Sequence, residues 1–336
     1  MTELPRVVRP EDLGLPRERA VNARGVLGAL GTLAVLAVVV VLVGSVLTVR
    51  DVEPGYALAV GERDGREVVV VPSEHGAGAS FVAAYDTTTG ERLWRHRTGY
   101  RPWPLAAGTE HVILRDDDQL VVLDLADGSV VAEGDAVPGL DLPHGELNFW
   151  VGGDAVDPVE GVVYVSVHDG FPEERPDLVR ALPVDGPPTA APLTGRQAER
   201  WSCYVATADA GRPDGAPVVD GVVREGAAGV VVPDVCDRDP ARAVDDELAP
   251  GSGVVATMTP ERGAYGRSEL VLTTADGAAL HRVDDVSDVA AARTTPSGGA
   301  VLLVRTQLSA LFGLTTRYDA VLVLVSPGGE VTEVGL

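Results

Sequence analysis

The sequence contains no lysine: its 27 basic residues are all arginine, they face 50 Asp and Glu residues, and the formal net charge is −23. An acidic excess of this size repels the phosphates of nucleic acids, so DNA or RNA binding is excluded. Aromatic residues are scarce, at 4% of 336 residues, and there are only two cysteines. A long chain that is 45% hydrophobic can still bury a large core, which excludes a disordered tail and a small disulfide scaffold.

One long stretch lacks charge altogether. Residues 26–49 read VLGALGTLAVLAVVVVLVGSVLTV, and a helix of this length reaches roughly 36 Å, enough to cross a hydrocarbon core of about 30 Å. A cleaved signal peptide has a shorter apolar region and ends in small residues of the A-x-A type, which this exit lacks. The pattern therefore predicts an uncleaved transmembrane helix over residues 26–49.

The arginines next to this stretch predict its orientation. Five of them precede it and only Arg50 follows it closely: Arg6, Arg9, Arg17, Arg19 and Arg24. Because cytoplasmic flanks of membrane helices are enriched in arginine, we expect the amino terminus inside the cell. Residues 1–25 then form a short cytoplasmic tail, residues 50–55 a linker, and residues 56–336 a domain outside the plasma membrane.

The predicted outer portion holds both cysteines, Cys203 and Cys236. An oxidising compartment allows them to pair, and no C-x-x-C spacing or nearby histidine indicates a redox or metal site. We predict a structural disulfide, which would stabilise the fold by roughly 3 to 4 kcal/mol through its effect on the unfolded chain.

The outer portion shows an all-β pattern with no convincing amphipathic helix. Short Val-rich runs alternate with Gly, Pro and Asp, as in ValValValVal from Val68, ValValTyrValSerVal from Val162 and AlaValLeuValLeuVal from Ala320. β-Branched residues favour strands, and Asp-Gly pairs supply the positive φ that tight hairpins need. We therefore expect many short antiparallel strands.

Hairpin glycines recur along this portion, each between two strand-like runs: Gly90, Gly128, Gly186, Gly277 and Gly329. The long interval from Gly186 to Gly277 is interpreted as two units with an unmarked hairpin near Pro233. Units of about 40 to 50 residues fit one four-stranded propeller blade. The spacing predicts a β-propeller of six or seven antiparallel blades, preceded by the transmembrane helix.

The first unit illustrates the prediction. Strands are expected at Tyr56–Val60, Glu67–Val71, Phe81–Asp86 and Arg92–Arg97, with turns through GERDG and through Gly90. We also expect the ring to close by pairing of an early strand, Tyr56–Val60, with the carboxy-terminal run, because closure removes exposed sheet edges.

The segment FVAAYDTTTGERLWRHRTG, residues 81–99, resembles the repeat of the pyrroloquinoline quinone (PQQ)-like β-propellers. In that family a strand ends in Ala-x-Asp, a Thr-Gly hairpin follows, and Leu-Trp opens the next strand before a second Thr-Gly. The matching residues here are Ala84, Asp86, Thr89, Gly90, Leu93, Trp94, Thr98 and Gly99. A weaker copy keeps Leu123, Asp124, Gly128 and Val131, and a third keeps Gly186, Thr194 and Gly195.

This resemblance implies one of two functional classes. Members are either quinoprotein dehydrogenases, which carry PQQ and calcium, or noncatalytic propellers such as the lipoproteins that assist outer-membrane protein assembly. The enzymes resemble a larger eight-bladed domain with adjacent cysteines stacking on the cofactor, and this chain has no Cys-Cys pair. We therefore expect a membrane-anchored, noncatalytic member without a cofactor.

Residue types that carry chemistry do not converge on a motif. The acid runs lack the spacing of a calcium loop, and the six histidines lack the spacing of a zinc site, so we predict no metal and no catalytic residue. We expect Asp86, Gly90, Trp94, Asp124 and Gly128 to act structurally, in turns and between blades.

The scarce aromatic residues of the turn-rich stretches form the candidate partner-binding set, with inter-blade packing as the alternative: Trp103, Phe149, Trp150, Phe171 and Trp201. The sequence therefore predicts a monomeric scaffold that binds an envelope component or a membrane protein. A small-molecule sensor is the second hypothesis, and a PQQ-dependent oxidoreductase or a hydrolase is the third.

Overall fold

The chain divides into two units, Met1–Val49 and Arg50–Leu336, and all residues described in the computed structural model belong to the second. They are residues 52–54, 57–75, 79–99, 102–116, 119–140, 154–157, 159–166, 179–210, 218–219, 222–223, 230–231, 252–260, 267–310 and 315–336. The predicted membrane span at residues 26–49 lies outside these ranges. Within them, no helix combines the length and the apolar character needed to cross a membrane.

The described fold is mostly β. Sheet 1 contains β1 (Val52–Pro54), β2 (Ala59–Arg63), β3 (Arg66–His75), β4 (Ala79–Asp86) and β5 (Arg92–Arg97). Sheet 2 contains β6 (Trp103–Ala107), β7 (His111–Asp116), β8 (Gln119–Asp124) and β9 (Val130–Glu133), followed by a 3₁₀ turn at Gly134–Ala136. In both sheets the strands from β2 onward pair antiparallel with their chain neighbours, and β1 extends the same edge of β3 as β2.

Sheet 3 contains β10 (Asp154–Asp157), β11 (Val162–Ser166), β12 (Val179–Pro183) and β13 (Ala191–Pro192), and helix α1 (Gly195–Ala210) follows it. Two very short strands, β14 (Val218–Val219) and β15 (Val222–Val223), pair with each other. A third, β16 (Val230–Val231), runs parallel beside β10.

Sheet 4 is six-stranded: β17 (Val254–Pro260), β18 (Ser268–Thr274), β19 (Ala279–Thr294), β20 (Ala300–Ala310), β21 (Thr315–Val325) and β22 (Val331–Gly335). The long β19 pairs with β18 up to Val286 and with β20 from Val286 onward. The sheet therefore has two halves that share one strand, β17 to β19 and β19 to β22.

The sheets stack face to face, and strand alternation produces the stack. In β3, Val68 and Val70 pack against sheet 2, whereas Val69 and Val71 pack against sheet 4. All four are at most 1% exposed, because successive side chains of a strand point to opposite faces and both faces are covered. The unbroken valine run of the sequence is thus a strand buried on both sides.

The same rule orders the remaining layers. Leu302 and Val304 of β20 pack against the first half of sheet 4, while Val301 and Leu303 pack against sheet 1. The far face of sheet 2 packs on sheet 3, and the far face of sheet 3 packs on α1 through Trp201. The order is sheet 4, sheet 1, sheet 2, sheet 3 and α1, so the first and last sheets of this unit are neighbours.

The predicted first unit is confirmed in its strands and corrected in its first turn. β2, β3, β4 and β5 overlap the four expected strands, but the first turn is only Asp64-Gly65, both with positive φ. This is the conformation of a two-residue type I′ hairpin, for which Asp-Gly is a favoured pair. All five hairpin glycines of the repeat also have positive φ. The residue near which a further hairpin was expected, Pro233, lies outside the described residues.

Two expectations are wrong. β2 pairs with β3, and β22 pairs with β21, so the early and late strands do not pair with each other. Sheet 1 and sheet 4 meet instead through buried side chains, which joins the early and late sheets of the Arg50–Leu336 unit without a shared hydrogen-bond ladder.

The second wrong expectation is that this portion of the chain contains no helix, because residues 195–210 form α1. Thr194 and Gln197 form a capping box: the Thr194 N–H donates to Gln197 Oε1 at 2.9 Å, and the Gln197 N–H donates to Thr194 Oγ1 at 3.5 Å. This Thr-Gly pair was assigned to the repeat, whereas it begins a helix.

The contact between Trp94 and Gly128 yields a matched test of the stack. An alanine Cβ at Gly128 would lie 2.6 Å from Trp94 Cε3, whereas one at Gly186 meets nothing within 4 Å, although both glycines have positive φ. We expect Gly128→Ala to lower the free energy of unfolding of the full-length chain by about 2 kcal/mol more than Gly186→Ala. Urea unfolding of both variants measures this difference, and equal losses would mean that only backbone strain matters.

Candidate functional site

The repeat residues of the sequence occupy hairpins and the interface between sheets. The Asp86 carboxylate accepts the backbone N–H groups of Thr88 and Thr89 at 2.9 and 2.8 Å, which fixes the turn before Gly90. Asp124 Oδ1 accepts the Ala126 N–H at 2.7 Å in the next sheet. These carboxylates are engaged in turn formation, as is typical of Asp before a tight turn.

Trp94 joins sheet 1 to sheet 2. Its ring is 7% exposed and belongs to the cluster shared by the two sheets, and its Nε1–H donates to the Leu125 carbonyl oxygen at 2.7 Å. The ring also lies against Gly128, where a side chain would not fit. An indole buried with its N–H bonded combines a large apolar contact with a directional one. Trp94 therefore fixes the position of one sheet relative to the next.

The aromatic set divides by location. Trp103 is partly buried and packs against the core between sheets 2 and 3. Trp201 is 1% exposed and meets Tyr164 edge to face, with ring centroids 5.5 Å apart, so its ring lies in the core beneath α1. Phe149, Trp150 and Phe171 lie outside the described residues. Cys236 does too, and Cys203 lies within α1, so the disulfide stays a prediction.

The most completely built polar cluster lies between sheet 3 and α1. Asp157 is 0% exposed and receives the Tyr164 hydroxyl at 2.9 Å and the Arg200 Nη2–H at 2.8 Å, with a second bond from Arg200 Nε. The backbone N–H groups of Val159 and Glu160 donate to the same carboxylate at 3.1 and 3.2 Å. Arg200 itself is 3% exposed, so the ion pair is desolvated.

This environment shifts two pKa values in opposite directions. Burial alone would raise the pKa of Asp157, but the hydrogen bonds from Arg200, Tyr164 and the Glu160 backbone outweigh it and hold that pKa below its ordinary value. Burial and the bond to Asp157 raise the pKa of Tyr164. The carboxylate is thus ionised and the phenol neutral near neutral pH. The cluster anchors α1 to sheet 3.

A small polar cavity marks the seam between sheet 1 and sheet 4. Its volume is about 40 Å³, and the lining includes Glu67, Thr87, Thr295 and Ser297. Ser297 donates its backbone N–H and its hydroxyl to the Glu67 carboxylate, the latter at 2.9 Å. This volume suits one or a few water molecules. The Glu67 carboxylate therefore links sheet 1 to sheet 4 through hydrogen bonds.

Of the five exposed large apolar residues in the described part of the chain, three lie on the outer strands of sheets 1 and 2, and the other two are Val159 and Val255. Leu93 of β5 is 38% exposed, and Val130 and Val131 of β9 are 47% and 44% exposed. β5 and β9 each pair on one side only within the described residues, so their outer edges are open. Trp94 of β5 contacts Gly128, which lies in the turn that precedes β9. We name the outer strands β5 and β9 the rim surface.

The rim surface carries charge of one sign on β5. The strand reads RLWRHR, with three arginines, one histidine and no acid, although arginines are outnumbered two to one by acids in the domain. Arg92, Arg95 and Arg97 are exposed. The repeat pattern of this segment predicts its hairpin but not a role for its charge. A basic run inside a strongly acidic chain was the signal that could have found it.

Comparison with known proteins finds structural similarity at low sequence identity and low TM-score. No family model matches the chain, and no curated protein matches it in sequence. BamB from Moraxella catarrhalis is similar in structure at 15% identity and TM-score 0.24, and the match covers 82% of this chain and 63% of BamB. A mutant of AofleA from Arthrobotrys oligospora matches at 12% identity and TM-score 0.28, over 86% of this chain and 90% of AofleA.

A quinohemoprotein alcohol dehydrogenase from Pseudomonas putida matches at 11% identity and TM-score 0.20, over 84% of this chain and 63% of that enzyme. The chain thus spans less than two thirds of the length of BamB and of this dehydrogenase. The architecture described above rests on the strand pairings and core clusters of the chain itself.

The buried ion pair of Asp157 and Arg200 predicts that a substitution in it costs more stability than one in an exposed ion pair of α1. Asp157→Asn removes the negative charge beside a buried Arg200, so we expect a loss of about 3 kcal/mol in the free energy of unfolding. Arg196→Gln, one turn earlier on α1, breaks the pair with Glu160, but the Arg196 side chain is 62% exposed. We expect this control to cost less than about 1 kcal/mol. Urea titration compares the two variants, and similar losses would contradict the anchoring role.

The Asp157 carboxylate also predicts how the stability of the fold changes with pH. Because the folded pKa of Asp157 is lowered, its stabilisation is present above its unfolded pKa and is lost as the pH falls through the folded value. Unfolding curves should therefore shift to lower urea upon acidification below about pH 4, and this part of the shift should be missing in Asp157→Asn.

Proposed function

We propose that the chain is a single-pass membrane protein whose extracytoplasmic domain is a β-propeller of six or seven blades. The stack of mainly antiparallel sheets, with sheet 1 and sheet 4 in contact, supports the propeller. The bent strand β19 would be the outer strand of one blade and the inner strand of the next.

One strand from each of sheets 1, 2 and 3 would line the inner side of this ring. β2 contacts β6, and β6 contacts β10, so β2 of sheet 1, β6 of sheet 2 and β10 of sheet 3 succeed one another. The Glu62 N–H donates to the Gly108 carbonyl oxygen at 3.1 Å, which links sheet 1 to sheet 2 on this side. The fourth strands then lie on the outside, where β5 and β9 form the rim surface.

We infer that this domain acts as a noncatalytic scaffold that binds another protein or an envelope component. The observation that carries the inference is the rim surface, because it combines exposed apolar side chains and a local basic charge on sheets fixed by buried contacts. Membrane anchoring through residues 26–49, with the amino terminus inside, would hold this surface at the plasma membrane.

The binding role is tested by crosslinking in living cells. The tagged full-length chain is compared with a control that keeps the predicted span but lacks residues 56–336, and crosslinked proteins are identified by mass spectrometry. We expect at least one protein to be crosslinked by the full-length chain and not by the control. If none is enriched, the scaffold proposal loses its support. Stabilisation of the purified chain by a small molecule would then favour a sensor, and a bound chromophore would favour an oxidoreductase.

The orientation has its own test. Alkaline phosphatase, which is active only outside the cytoplasm, is fused after Leu336, and a second fusion places it before residue 26. The positive-inside rule predicts activity of the first fusion and inactivity of the second. The opposite pattern would show that the domain faces the cytoplasm.

A further inference from the structure

The outer strand of sheet 1 differs in charge from the outer strands of its neighbours. β5 contains Arg92, Arg95, His96 and Arg97, whereas β9 reads VVAE and β22 reads VTEVG, with no basic residue in either. Basic residues on an edge strand often serve to prevent edge-to-edge pairing. Since β9 and β22 are edge strands without them, edge protection alone does not account for the charge of β5.

The register places the three arginines on one face. Arg92, Arg95 and Arg97 pair with Tyr85, Ala83 and Phe81 of β4, respectively. Directly opposed residues of an antiparallel pair point to the same side, and this side faces sheet 4. Trp94 and His96 point the other way, toward sheet 2.

Sheet 1 holds two of these guanidinium groups in position. The Arg95 guanidinium lies 3.5 Å from the centroid of the Phe81 ring, a cation–π contact that orients it while leaving the residue exposed. Arg92 bonds to the Tyr85 hydroxyl, and burial raises the pKa of that tyrosine above its ordinary value. Among the described residues neither Arg92 nor Arg97 forms an ion pair. We name Arg92, Arg95 and Arg97 the arginine stripe: all three residues are exposed, and contacts within sheet 1 orient two of them, Arg92 and Arg95.

The open edge beside the stripe supplies backbone groups. β5 pairs only with β4 within the described part of the chain, so its outer N–H and C=O groups face outward. An extended segment can add to such an edge through main-chain hydrogen bonds, with side-chain charge providing selectivity. Side chains at alternate positions of that segment would face the arginine stripe, because strands alternate with a period of two.

Resting on the scaffold function proposed above, we propose that β5 binds an extended acidic segment of a protein partner, which adds as a further strand to sheet 1. Carboxylates at alternate positions of this segment pair with Arg92, Arg95 and Arg97. The occupant follows from charge complementarity, since an acidic segment is repelled by most of this domain and attracted by this one strand.

The first experiment measures binding of a defined probe. The probe is a fluorescent peptide of about eight residues in which Glu alternates with Val or Thr, and fluorescence anisotropy reports its binding to the purified full-length chain. A second peptide with a central proline keeps the charge but cannot complete the backbone ladder. We expect binding of the first peptide that weakens with salt, and binding of the proline peptide that is weaker by about tenfold or more.

Two charge reversals identify the surface. Arg97→Glu acts on the stripe, while Arg66→Glu makes the same change of net charge at an exposed position of β3 near the Asp64-Gly65 turn. We expect Arg97→Glu to weaken peptide binding by about tenfold or more and Arg66→Glu by less than about twofold. Should Arg97→Glu impair folding, Arg97→Gln makes the same test with a smaller perturbation.

Three results would overturn the proposal. One is the absence of peptide binding, and another is an equal effect of the two reversals, which would indicate nonspecific charge. The third is binding to vesicles of phosphatidylglycerol, lost in Arg97→Glu, without binding to the peptide. That result would assign the stripe to an anionic lipid surface instead.

Site-specific photo-crosslinking separates this proposal from the general scaffold function. A benzophenone amino acid replaces Leu93 on β5 in one variant and Val131 on β9 in the other, two positions of similar exposure. We expect crosslinks from position 93 to the acidic segment of a partner, mapped by mass spectrometry, and not from position 131. If the partner is captured by the full-length chain but neither position crosslinks it, the scaffold function stands and the β5 site is wrong.

Discussion

The structure depends on one repeated contact, in which a side chain of one layer covers a hairpin glycine of the next layer. Trp94 covers Gly128 and Val334 covers Gly90 between two sheets, and Leu280 covers Gly329 between the two halves of sheet 4. A Cβ at these three glycines would lie 2.6, 2.8 and 3.1 Å, respectively, from the nearest atom of the covering side chain. Glycine is needed at each place for two reasons, a positive φ and the close approach of a side chain. The pair Val334 and Gly90 repeats the contact across residues from opposite ends of the unit.

The contact of a side chain with a hairpin glycine determines which strands are buried on both faces. Once neighbouring sheets are held face to face, each inner strand is covered on both sides, and a strand such as β3 accommodates four successive buried valines. The outer strands gain cover from one side only, through residues such as Trp94. Their remaining face and edge stay at the surface, which is why exposed Leu93, Val130 and Val131 lie there. The proposed binding surface is therefore a consequence of how the stack is built.

Local signals in the sequence predict the strands and turns well. Asp64-Gly65, Gly90 and Gly128 require backbone conformations that few residues tolerate, so hairpins could be located from residue type alone. The contact between sheet 1 and sheet 4 could not be predicted from the sequence. It is made by packing of β20 and β21 on sheet 1, which leaves no strand-pairing pattern in either segment. α1 was missed because Thr194-Gly195 matches both a repeat and a helix start, and only the bond to Gln197 distinguishes them.

The functional surface was harder to predict for a related reason. Trp201 stood out as a rare aromatic residue, yet it is a core residue whose burial depends on Tyr164 and on the ion pair of Asp157 with Arg200. The charge of β5 is visible in the sequence, but its importance depends on β5 being an edge strand, which only the sheet order reveals.

Hydrogen exchange measures whether sheet 1 and sheet 4 hold each other in place. Val334→Asp places a charge against Gly90, and within the described residues β22 pairs with β21 alone. We expect faster amide exchange in β4 and β5, residues 79–97, as well as in β21 and β22. Faster exchange confined to β21 and β22 would contradict it, because sheet 1 would then be stable without its contact to sheet 4.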